Sequence, residues 1–123
     1  MTMRAASFAV ALAIAALLAA CAAQDESIDE YPCPSGGTML TYASFGRAFL
    51  DANCQRCHGQ SDAARNGAPS DVTFATEDDV QRFKDRIFAR AASDNTTMPP
   101  GPDDPPANER HELAEWLACG GGR

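Results

Sequence analysis

Cys54-Gln55-Arg56-Cys57-His58 places two thiols and an imidazole within five consecutive residues. In the pattern C-x-x-C-H, two sulfurs near the end of a helix can reach the two vinyl groups on one edge of a haem and form thioethers. The histidine directly after the second cysteine then lies under the iron and can supply an axial imidazole. Two other chemistries use part of this pattern. A structural zinc needs about four ligands, and the chain offers one further histidine, His111, and no second C-x-x-C. A dithiol redox pair sits at a strand-to-helix junction in a βαβ context, and no such alternation is visible. The motif therefore predicts one covalent haem and a redox role.

Three cysteines remain: Cys21, Cys33 and Cys119. Behind Arg4, the run from Phe8 to Ala20 is almost entirely apolar. It reads as the short n-region and h-region of a signal peptide, too short and weakly flanked for a comfortable membrane span; a retained anchor helix is the alternative. The run ends in Leu18-Ala19-Ala20-Cys21, which resembles a bacterial lipobox. That resemblance implies a lipidated Cys21 as the first mature residue, on the periplasmic side of a membrane. Plain cleavage with a free Cys21 competes with it. Cys33 and Cys119 form an even pair in an exported, oxidising compartment. One precedes the first helix and the other ends the last, so a disulfide is expected, against the alternative of two buried thiols.

Loss of the leader removes Arg4 and leaves nine basic residues against seventeen acidic, a net charge of −8. No basic patch of the size that nucleic acid needs is present. A redox partner docking by charge would present a basic face, and the chain is expected to act as a monomer. The organisation follows: a signal peptide over 1–20, an acidic flexible tether over 21–37, and one domain over 38–123.

Positioning these groups falls to helices. A first helix fits Thr41 to about Asn53, with Tyr42, Phe45, Phe49 and Ala52 on one apolar stripe and Gly46, Leu50 and Cys54 on a second line. Residues 59–74 are rich in turn formers and read as a loop able to wrap a haem edge. A second helix fits Glu77 to Ala92, with Thr76 as N-cap and Val80, Phe83, Ile87 and Ala91 at helical spacing. Five of the eight prolines fall between Asp94 and Pro106, which ends that helix and restricts the loop carrying Met98. A last helix runs from Pro105–Ala107 to Ala118, stopped by Gly120-Gly121-Gly122. The fold class is all-α.

Taken in order, these residues resemble the small class I monohaem cytochromes c over about 38–119, here in a bacterial lipoprotein form. Gly46-x-x-x-Leu50-x-x-x-Cys54, Cys54 to Gly59, Met98-Pro99 and Leu113-x-x-Trp116-Leu117 carry the resemblance. The family more often has an aromatic where Leu50 stands. The resemblance implies three main helices around one haem c, with Trp116 packed against Gly46. It implies Met98, forty residues after His58, as the second axial ligand, and Pro69 as the acceptor for the other ring nitrogen of His58. Met39 and His111 are rival sixth ligands.

With both axial positions filled, the expected function is membrane-tethered electron transfer rather than catalysis. The alternatives are a haem enzyme or gas or redox sensor with a labile sixth ligand, the haem subunit of a larger dehydrogenase or oxidase, and a zinc-bearing structural lipoprotein.

Overall fold

The computed structural model describes residues 26–61 and 65–120. The expected leader and Cys21 lie outside the described residues.

Thr41 opens the first helix because its side chain and that of Ser44 satisfy each other's backbone N–H groups, both at 3.0 Å. One turn of π-helix, Tyr42–Gly46, runs into α1, Arg47–Asn53. After Cys54, a single turn, α2, spans Gln55–His58. Thr76 and Asp79 make the same reciprocal cap, at 3.1 and 3.2 Å, before α3, Glu77–Ala91. Three acidic residues fill the first turn of α3, at the positive end of its dipole. Helix α4 covers Ala107–Ala118. No strand occurs among the described residues, and none of their helices is long and apolar enough to cross a membrane.

The core joins Phe49 and Leu50 of α1, Val80, Ile87 and Phe88 of α3, and Leu113, Trp116 and Leu117 of α4. Each such side chain contributes roughly 1.5–3 kcal/mol when taken out of water. Helix α1 turns differently from its apolar stripe. Ala52 is exposed, whereas Gly46 and Leu50 of the second line are buried. The reason is Gly46. A Cβ there would lie 2.8 Å from Cζ3 of Trp116 and nearer still to Cη2 and Cζ2. Only a bare backbone lets the indole come this close, and the contact draws its own line of α1 into the centre. Phe45 and Tyr42 flank the same indole at 6.0 and 6.4 Å.

Packing begins earlier than the boundary at residue 38. Ile28–Glu30 is a 3-10 turn, and Ile28 and Tyr31 lie against the core. The Tyr31 ring meets Phe88 edge-on at 5.8 Å, and its hydroxyl donates to the His111 carbonyl at 3.3 Å. Cys33 is bonded to Cys119, the residue that closes α4, with their Cα atoms 5.5 Å apart. The described part of the tether, 26–37, is thus held to the domain by two apolar side chains and a covalent link.

Candidate haem site

The end of α1 and the single turn of α2 carry the motif. The Cys54 N–H continues the helix to Leu50 O at 2.8 Å, and the His58 N–H bonds to Cys54 O at 2.9 Å. The two thiols are free and, with the imidazole, line a cavity of about 310 Å³. Met98 and Pro69 line the same cavity, and Val72, Phe74, Ile87 and Ala91 supply apolar wall. Met39 is 91% exposed and His111 is exposed on α4, and neither lines the cavity.

His58 is oriented from two directions. Its ring stacks on Phe74 with centroids 4.5 Å apart. Its Nδ1 lies 2.9 Å from the Val72 carbonyl. A carbonyl can only accept, so Nδ1 carries the proton and the lone pair is on Nε2, the atom free to bind a metal. This corrects the role expected of Pro69. The Pro69 carbonyl is already taken by Arg65 Nη2 at 2.6 Å and by the Val72 N–H at 3.1 Å, a turn that leaves Val72 to receive the imidazole. Pro69 keeps its place on the cavity wall.

Burial pushes the Cys54 thiol up to about 12; Arg110 pulls the other way and Cys57 adds to the rise. Asn66 Nδ2 approaches the Cys57 sulfur at 3.5 Å.

Met98 is held by its backbone. Its N–H donates to Arg90 O and its carbonyl accepts from Arg110 Nη1, both at 2.8 Å. The residue is 41% exposed and lines the cavity. Arg110 sits among Glu109, His111 and Glu112 on the last helix, yet it is 3% exposed. Arg65, Val72 and Phe74 also escape a reading by helical period. The alternation Val72-Thr73-Phe74 within a loop of turn formers is the one signal that could have marked the last two.

Two free thiols, an imidazole with Nε2 open and a thioether on one largely apolar cavity fit a covalently attached haem. Among the described residues, no cluster of three or more His, Cys, Asp or Glu is assembled, so the thiols lack the further ligands that a structural zinc needs.

No curated protein and no solved structure matches the chain. The model of one family, described as cytochrome C oxidase, cbb3-type, subunit III, matches residues 43–117. That span covers more than half of the 123 residues and runs from the first helix almost to the end of α4. The chain therefore belongs to this cytochrome c family, and its all-α domain binds a covalent c-type haem in an electron-transfer role.

Proposed function

We propose that this protein is a one-electron carrier with Cys54 and Cys57 in thioether links, His58 and Met98 as axial ligands, and lipid on Cys21 holding it at the periplasmic face of a bacterial membrane. The observation that carries the ligand assignment is the bond from His58 Nδ1 to Val72 O, which leaves the Nε2 lone pair available on a ring that lines the same cavity as Met98. Bound haem supplies an iron that alternates between ferrous and ferric states. Each ligand of this chain has one task. His58 gives a fixed, basic nitrogen, because the Val72 carbonyl polarises its ring. Met98 gives a soft sulfur, which favours the reduced metal and raises the potential. Apolar walls limit water, and backbone-held ligands keep reorganisation between redox states small. A lipid tether would raise the effective concentration near membrane partners.

The acidic surplus supports steering toward a partner with a basic face. Among the described residues, the cavity lining includes Arg65, Arg86 and Arg90 and no carboxylate. Close docking there depends on how far haem propionates neutralise those guanidinium groups. The description of the matched family as an oxidase subunit supports a second reading, in which the same domain delivers electrons inside a larger complex.

The test is a reduced-minus-oxidised visible spectrum of protein exported in a cytochrome-maturing host. Haem should survive acid–organic extraction. Met98→Ala should remove the weak far-red band that reports sulfur–iron bonding and admit carbon monoxide, while Met39→Ala should not; the reverse pattern would reassign the ligand. Labelled fatty acid should enter the wild type and not Cys21→Ser, which should be released still carrying haem. Migration of the detergent-extracted wild type with other subunits would favour the second reading.

A further inference from the structure

We infer that Arg110 is the positioning residue for Met98, setting the sulfur's approach to the cavity from a buried guanidinium on α4. The inference rests on Met98 being an axial ligand. Arg110 is 3% exposed, and a buried charge is costly unless its donors are used. They are used on one short stretch of chain. Nη1 reaches the carbonyls of Ala91 at 2.8 Å, Asn95 at 3.2 Å and Met98 at 2.8 Å. Nη2 bonds to Asp104 Oδ1 at 3.2 Å, beyond Met98 in the chain. The carbonyl of Arg110 also accepts from the Ser93 N–H at 2.9 Å, where Ser93 takes a left-handed φ of 52°. One residue thus binds the chain before Met98, at Met98 and after it.

This arrangement has a consequence for the metal. The bond from Arg110 Nη1 holds the Met98 carbonyl, and the Met98 side chain lines the cavity. Anchoring the backbone sets where the sulfur can reach. The planar fork of an arginine is suited to several acceptors at once, whereas a lysine ammonium offers one compact charge. Arg110→Lys should therefore keep the charge and lose the geometry.

The experiment uses full-length haem-loaded protein carrying Arg110→Gln, Arg110→Lys or Met98→Ala. For each, the far-red sulfur–iron band, the midpoint potential and the rate of carbon monoxide binding are measured well below the unfolding temperature. Both Arg110 variants should weaken the band, lower the potential and bind carbon monoxide about tenfold faster or more, the scale of one lost bond to a charged group. Haem attachment should be unchanged. A role in stability alone would lower the melting temperature and leave band, potential and gas binding at wild-type values; that result overturns the inference. Should Arg110→Gln yield too little folded protein, Arg110→Lys decides by the same readouts. If Met98→Ala itself keeps the band, the ligand assignment fails first, and the inference falls with it for a distinguishable reason.

Discussion

The loop that follows His58 and the loop that carries Met98 are each tied together by one arginine, but over different lengths of chain. Arg65 donates to the carbonyls of Gly59, Ala68, Pro69 and Val72, all within seven residues of itself. It is half-buried and meets no carboxylate in these bonds. Arg110 is buried and reaches back 12, 15 and 19 residues to Met98, Asn95 and Ala91. The imidazole side is therefore a local structure, whose closure costs little chain entropy. The Met98 side exists only when α3 and α4 are docked. In denaturant the Met98 side should open first, as a sub-global step below the global transition.

The largest effect should fall on both loops alike. Cys33→Ser with Cys119→Ser opens a loop of 86 residues. Chain-entropy reasoning puts the loss at up to about 4–5 kcal/mol. Sulfur–iron band and Soret spectrum should shift to lower denaturant by the same amount, with the band still lost first. A gap between them wider than in the wild type would show that the bridge acts on α4 alone.

Arg110→Ala should come next, at about 3–5 kcal/mol, because it strands buried carbonyls around the turn at 92–98. Chemical denaturation of the haem-loaded protein measures it. A cost near zero would mean water replaces the guanidinium and the contrast with Arg65 is lost.

Gly46→Ala should cost roughly 1–3 kcal/mol through overpacking against Trp116. Trp116 and Arg110 share α4, so the displacement should reach Met98 before His58. The sulfur–iron band should weaken more than the Soret position moves.

Arg65→Ala should be the mildest, about 1–2 kcal/mol, since its bonds are local and partly open to water. It should perturb the imidazole side, because Arg65 Nη2 and His58 Nδ1 both use the Val72 carbonyl, each at 2.9 Å. Carbon monoxide should remain excluded. Gas binding equal to that of Arg110→Gln would erase the division between the two loops.

What could be read without the structure was encoded over short spans. C-x-x-C-H is contiguous, and the helices expected near 41–53, 77–92 and from 105–107 to 118 appear as Tyr42–Gly46 with Arg47–Asn53, Glu77–Ala91 and Ala107–Ala118. Periodicity, the threonine caps and the prolines act on neighbouring residues, so the chain itself specifies them. The resemblance carried Gly46 against Trp116 correctly.

Other features needed distant parts to meet. Which carbonyl receives Nδ1 of His58 depended on how the loop at 65–72 folded around Arg65, and Val72 took the place expected for Pro69. Arg110 lies between Glu109 and His111, a pattern of surface residues, and became buried because α4 docked it onto the carbonyls of a turn from another helix. Residues 26–37 fall in the expected tether and are held to the domain because Ile28 and Tyr31 found partners on α3 and α4 and Cys33 is bonded to Cys119. Local spacing determined the chemistry that this protein carries. The folding of the loop around Arg65 and the docking of α4 against α3 decided how that chemistry is held, because backbone carbonyls bear no sequence signature and become acceptors only where the fold brings a donor to them.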